Sequence, residues 1–331
     1  MTSTLGAMTD ISNDFDFLAG TWDVEHDRPL TDDLTGGLVG SRAAAYRLLD
    51  GGVSLDEITF PSSGSSGLSV RVFVPERGEW EIRWVSSHDG LVGPPVVGSF
   101  EDGPDGPSCR LVGDELPQDG RPTRMTYEWD RITPTSARWQ QAYSFDGERT
   151  WEKNWELRFT RTADGPEPMP QDHLPKHTSD FDFLTGTWHV QHHKLRSRLT
   201  GCADWDDFES TFDARTHLNG LVSVDEGALT GVDGAPYRGM TFRTYDVAAG
   251  EWRLHWFDSR SLGWDTAPVR GRFADGVGEF VAEDRHDGVP ILCRFRWTVH
   301  SPEKAGWEQA FSTDDGATWE VNWEMVETRI A

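Results

Sequence analysis

Positive charge is scarce in this 331-residue chain: 31 Lys+Arg stand against 56 Asp+Glu, a formal net charge of -25. Such a field repels phosphate backbones and anionic lipid surfaces. Nucleic acid and membrane are therefore not expected as partners, and a small-molecule ligand is. Cysteine is also scarce. Cys109, Cys202 and Cys293 are odd in number and form no C-x-x-C pair. A disulfide framework is thus excluded, and a reducing, cytoplasmic setting fits. No run of about 18 apolar residues is present, so no segment reads as a membrane-spanning helix. Met1 to Asn13 lacks the basic and apolar regions of a signal peptide and reads as a mobile tail. The sequence has no Gly-rich phosphate loop, no G-x-S-x-G elbow and no H-E-x-x-H pair. What remains is binding, or acid-base chemistry without a cofactor.

Tryptophan is abundant, with 16 copies, and its placement repeats. Thr318-Trp319-Glu320-Val321-Asn322-Trp323-Glu324 echoes Thr150-Trp151-Glu152-Lys153-Asn154-Trp155-Glu156. Seven tryptophan pairs match along the chain: 22 with 188, 80 with 252, 84 with 256, 129 with 297, 139 with 307, 151 with 319, and 155 with 323. Asp56-Glu57 matches Asp225-Glu226, Arg71 matches Arg243, and His26 matches His192. A unit of this length is a domain and not a solenoid repeat. The reading is a tail over 1–13, repeat one over 14–162, a proline-rich linker over 163–179, and repeat two over 180–331.

Segments such as Cys293-Arg294-Phe295-Arg296-Trp297-Thr298-Val299 alternate apolar and polar residues, and Asp/Gly turns separate them. Short strands with little helix predict an all-β fold of two tandem antiparallel barrels. The one stretch that reads as helical is Cys202 to Glu209.

Phe17-Leu18-Ala19-Gly20-Thr21-Trp22, repeated as Phe183-Leu184-Thr185-Gly186-Thr187-Trp188, resembles the G-x-W signature of the calycin superfamily. Phe181 to Leu199, Asp225-Glu226, Pro268 to Phe273 and Trp307 to Trp323 resemble an uncharacterised bacterial family of lipocalin-like domains. The resemblance covers both repeats and implies a barrel with a cup-shaped pocket. Repeat one has no counterpart of Trp205-Asp206-Asp207-Phe208, which weakens the case for a site there. Nitrobindin-like haem or metal binders share such a barrel; against that alternative, the histidine nearest the C-terminal strands is His300, in a Val-His-Ser-Pro context. Ser312-x-Asp314-x-Gly316-x-x-Trp319 also resembles the Asp-box of sialidase-type propellers. There, as expected here, the box stabilises a turn and carries no chemistry.

Several residues are candidates for a site. Asp225 and Glu226 adjoin on a strand-like run, so they face opposite ways. If Glu226 points into the cup, burial would raise its pKa and make it a general acid or base. The plain alternative is a strand-end salt bridge, with Arg243 as partner. His192, Lys194 and Arg196 would share one strand face; inside a barrel that face could hold a carboxylate or enolate, and outside it could meet the acidic other domain. His192 is a further acid-base candidate. Metal ligation by His189, His192 and His193 lacks a carboxylate or Cys at ligand spacing, so no metal site is assigned. Trp256 and Arg243 are candidates for the pocket wall. Asn322 is either a ligand-orienting amide or part of an outward polar face with Glu320 and Glu324. Trp205 and Trp264 occur only in repeat two and are candidates for a lid over the pocket mouth, or for packing between domains. The resulting expectation is a ligand cup in repeat two, with isomerase, cyclase, hydratase or lyase chemistry as its enzymatic form.

Overall fold

The computed structural model describes residues 12–27, 39–61, 63–118, 120–231, 234–264 and 268–330. The expected tail therefore lies outside the described residues except for Ser12 and Asn13. Among the described residues pairing is antiparallel throughout, and twenty strands close into two barrels of ten. In the first, the strands are β1 (Gly20–Asp27), β2 (Val39–Leu48), β3 (Val53–Phe60), β4 (Ser65–Val74), β5 (Glu79–Ser86), β6 (Val96–Gly103), β7 (Gly106–Gln118), β8 (Arg121–Asp130), β9 (Ser136–Ser144) and β10 (Glu152–Ala163). In the second they are β11 (Gly186–Leu195), β12 (Trp205–His217), β13 (Val222–Thr230), β14 (Pro236–Asp246), β15 (Glu251–Asp258), β16 (Val269–Ala274), β17 (Val277–His286), β18 (Val289–Ser301), β19 (Lys304–Ser312) and β20 (Glu320–Arg329). Each barrel is an up-and-down meander whose first strand pairs with both its second and its last. The seven tryptophan pairs fall on matching strands or, for Trp151 and Trp319, just before the last strand. Cys202 to Glu209 is not helical; from Trp205 onward it is strand β12. Its Trp-Asp-Asp-Phe-Glu-Ser-Thr-Phe pattern pairs in register with β11, and that cross-strand pairing overrides local helix propensity.

The repeated Asp-Phe-Asp-Phe-Leu-x-Gly-Thr-Trp segment closes each barrel base. In the second barrel, Asp180 Oδ2 accepts a hydrogen bond from Trp252 Nε1 at 3.0 Å. Phe181 packs edge-on to Trp252 at 4.8 Å, and residues Asp182–Leu184 make one 3₁₀ turn. Gly186 then adopts a φ of 125°, which an L side chain resists. Trp188 donates Nε1–H to the Leu184 carbonyl at 2.6 Å, and the Arg329 guanidinium covers its ring at 4.4 Å. The first barrel repeats each contact: Asp14 with Trp80 at 3.1 Å, Trp22 with Leu18 at 2.7 Å, and Arg161 over Trp22 at 4.2 Å. The motif is a structural plug built from one buried polar bond per indole and aromatic edge packing.

The chain after β10 binds to the first barrel. Thr21 Oγ1 donates to the Gly165 carbonyl at 2.8 Å and accepts from Glu167 N at 2.9 Å. Gln171 Nε2 reaches both Glu57 carboxylate oxygens at 3.4 Å. The prolines at 166, 168 and 170 stiffen this strap, while its polar groups anchor it.

Candidate functional site

Strand alternation points one set of side chains into each barrel. In the second barrel, the inward set encloses a cavity of about 210 Å³. That is below the roughly 300–1,000 Å³ of sites for drug-sized ligands, so it suits a small organic molecule. Its walls are largely aromatic, with Trp256, Phe295, Phe311 and Trp323 prominent.

Near the base, three titratable residues meet. Asp225 lies inside, and its carboxylate pairs with the Arg243 guanidinium at 2.5 Å. Asp225 Oδ1 also accepts from Thr241 N at 3.3 Å. Arg243 sits over the rings of Phe181 at 4.9 Å and Trp297 at 5.6 Å. Among the described residues, its Nε and Nη1 have no hydrogen-bond acceptor; the π-faces take that side of the cation. The third residue is Glu327, which lines the same cavity and is 6% exposed. Burial pushes its carboxyl up to about 8, the negative charge of Asp225 adds to the rise, and Arg243 opposes it. At neutral pH Glu327 therefore carries a proton in an aromatic-walled cup.

The sequence reading missed Glu327, although a signal was present. Aligning the repeats on Trp155 and Trp323 sets Glu327 against Phe159. The registers agree, since Val190 faces Glu327 across β11 and β20, and Val24 faces Phe159 across β1 and β10. The Asp–Arg pair itself is common to both barrels, with Arg71 to Asp56 also at 2.5 Å and Arg71 over Phe15 and Trp129. It belongs to the scaffold, whereas the acid beside it is specific to the second barrel.

Asp225 and Glu226 take opposite faces, and the inward one is Asp225. Glu226 points out of the barrel and pairs with Arg238 at 3.2 Å. His192 faces inward but is engaged on both nitrogens. Nε2 meets Ser210 Oγ at 2.6 Å, and Nδ1 lies 3.2 Å from the Trp323 Nε1–H that donates to it. Phe208 stacks on the imidazole at 4.4 Å. Burial, and secondarily the charge of Lys194, push His192 down to about 3. The imidazole is thus neutral and fixes the Trp323 ring. Lys194, two residues further along the strand, has its Nζ 3.6 Å from the Trp323 ring centre. Burial lowers it to about 7, assisted by Arg198 and Arg260 and opposed by Asp258. His189 and His193 face outward, to Glu209 at 3.3 Å and Asp207 at 2.7 Å, so the three histidines do not converge. Arg196, expected to share a face with Lys194, pairs with Asp206 and is exposed. Among the described residues, no group of three or more His, Cys, Asp and Glu is placed to hold a metal ion.

Asn322 is fully buried and does not follow the simple alternation. The pairing of β19 with β20 shifts register between Gln309 and Ala310, which makes Asn322 the extra residue of a bulge. Its Oδ1 accepts from Gln309 Nε2 at 2.8 Å, and Gln309 lines the cavity. The bulge also separates the expected Glu320–Asn322–Glu324 face. Glu320 pairs with inward Phe311, and Glu324 pairs with outward Glu308.

The two tryptophans particular to repeat two lie on the outside. Trp205 stacks flat on His193 at 4.2 Å. Trp264 packs at 5.2 Å from His255 and Phe257 and 5.9 Å from Phe242, residues on the outer face of β14 and β15. The rest of that loop, 265–267, lies outside the described residues, as do residues 28–38 of repeat one, where the two copies diverge.

Neither a family model nor a curated protein matches the chain. Solved structures match it at low identity. One is a protein of unknown function from the DUF3598 family of Nostoc punctiforme, 13% identical, covering 98% of this chain and all of that one, with a TM-score of 0.30. A redesigned β-barrel covers 47% of this chain at 11% identity and a TM-score of 0.27. A third, described as an outer membrane protein of Bacteroides fragilis, covers 96% at 9% identity and 0.21. Among the described residues, no helix is long and apolar enough to cross a membrane.

Proposed function

We propose that the chain is a tandem pair of calycin-like barrels whose second member binds a small, partly apolar organic molecule. One observation carries this reading: a buried carboxyl, Glu327, faces an aromatic cavity beside the Asp225–Arg243 pair, where the first barrel has Phe159. A neutral buried carboxyl costs its scaffold stability and returns it only when it meets a partner. A ligand carbonyl or hydroxyl supplies that partner. With Asp225 paired to Arg243, the Glu327 carboxyl beside it can donate to a developing oxyanion, as an isomerase or lyase without a cofactor requires. The free thiol of buried Cys109 is in keeping with a cytoplasmic setting.

An unbiased screen of small organic molecules by thermal shift and native mass spectrometry tests this. Hits should lose at least tenfold in affinity, about 1.4 kcal/mol, in Glu327→Gln and in the cavity-filling Ala282→Leu. Glu226→Gln, on the outer face, should leave them unchanged. Hits indifferent to both cavity variants would place the binding elsewhere and sink the proposal.

A further inference from the structure

The chain is strongly acidic, yet basic side chains gather at the open end of the second barrel. Lys194 comes from β11, Arg198 from the segment after it, and Arg260 from the turn after β15. Arg260 is already matched: it pairs with Asp258 at 2.5 Å and lies over the Tyr237 ring at 3.7 Å. Lys194 and Arg198 are different. Both are largely withdrawn from water, and each lies near an aromatic ring, Lys194 at 3.6 Å from Trp323 and Arg198 at 6.0 Å from Phe311. Both rings line the cavity. Among the described residues, no carboxylate comes within 4.0 Å of either cation. Glu320 and Asp287 act on Arg198 only at longer range, and Glu320 Oε1 is occupied by the Leu199 amide at 2.7 Å. Among the described residues, the Arg198 Nε has no acceptor.

Burying a cation without a counter-charge is unfavourable. In a protein with 56 acidic residues, two such cations, each against a ring that lines the cavity, suit an anion. Arg offers a planar fork that grips a carboxylate through two parallel bonds, and Lys adds a point charge beside it.

We propose that the ligand of the second barrel is a small organic carboxylate. Its anionic head lies between Lys194 and Arg198, its apolar body runs along Trp323, Phe311 and Trp256, and its far end reaches Glu327. This rests on the cavity reading above and narrows it to a ligand class.

The experiment compares 4-phenylbutyrate with its uncharged amide, 4-phenylbutanamide, by titration calorimetry on the full chain. The carboxylate should bind at least tenfold tighter than the amide. Lys194→Met and Arg198→Met should each reduce carboxylate affinity about tenfold, equivalent to about 1.4 kcal/mol, and leave the amide within about twofold. Arg198→Lys, which keeps the charge, should retain most of the affinity, and Arg198→Gln stands in for the charge removal if Arg198→Met fails to fold. Equal binding of acid and amide, unaltered in the variants, overturns the carboxylate assignment and leaves the cavity reading intact. Binding of neither probe, while neutral molecules from the screen still occupy the cup, also overturns it. If nothing occupies the cup, both readings fall.

Discussion

Glu327 and Phe159 occupy the same position in two barrels of one chain, each opposite the valine that follows the first-strand tryptophan by two residues. Phe159 packs its ring on Trp129 at 5.2 Å and Trp22 at 6.1 Å. Glu327 has a carboxyl in the corresponding place. Around them the scaffold is the same, so the pair isolates what an acid does in this cup.

Stability should respond to Glu327 in the direction set by its proton. The folded state holds that proton up to about 8, whereas the ordinary value is 4.5. Between those values the folded chain binds more protons than the unfolded chain, so stability falls as pH rises through this window. Glu327→Gln should remove this slope and stabilise the protein by on the order of a few kcal/mol at the alkaline end. Urea unfolding of both proteins across the window measures it. Parallel pH profiles for wild type and variant would mean that Glu327 is already ionised and solvated.

His192 has the opposite sign. Its imidazole stays neutral until about 3 in the folded chain, against an ordinary 6.5. The unfolded state gains a proton first, so this site's contribution to stability is present above 6.5 and is lost progressively as pH falls toward 3. Nitrogen chemical shifts should show a neutral ring throughout that range. A midpoint near 6.5 would show that burial does not hold the ring neutral.

The two Asp–Arg pairs should behave alike. Asp225→Asn and Asp56→Asn each leave a buried guanidinium without its counter-charge, at a cost of roughly 3–5 kcal/mol. Denaturant titrations of the two variants test the equivalence. A loss confined to Asp225 would contradict a shared scaffold role.

The turn before β20 is a separate case. Asp314 accepts from Thr318 N at 2.8 Å and from Thr318 Oγ1 at 2.6 Å, and these bonds hold its carboxyl down to about 2. Asp146 makes the same contacts to Thr150. Asp314→Ala should lower the melting temperature and leave ligand affinity alone; the stabilisation from this carboxylate is present above its ordinary range and fades as pH falls through about 2. A loss of affinity with normal stability would make the hairpin part of the cup.

Much of the fold was legible because tryptophan is bulky and rarely interchangeable: a core that needs an indole at one place in one barrel needs it in the copy. The site was less legible, for three local reasons. Alternation shows that Asp225 and Glu226 oppose each other but carries no sign for inside and outside until the barrel closes. The bulge at Asn322 shifts the phase of the last strand by one residue, and nothing in Glu-Val-Asn-Trp-Glu announces it. Trp205 and Trp264, being unshared, suit a lid and packing between domains equally; a flat His193 and the outer face of β15 receive them. Glu327 was visible only as a mismatch between the copies.

The stitch between the ends of each barrel governs how it can be made. Arg161 reaches the Phe17 carbonyl across 144 residues of sequence, and Arg329 reaches that of Phe183 across 146. Contacts so distant along the chain form late, because a long loop must be ordered before they return anything. A nascent barrel therefore waits for its last strand, with the edges of its first and most recent strands unpaired until then. Shortening either barrel by its final strand would not yield a smaller barrel. It would yield a sheet with two open edges, prone to pair with its own kind.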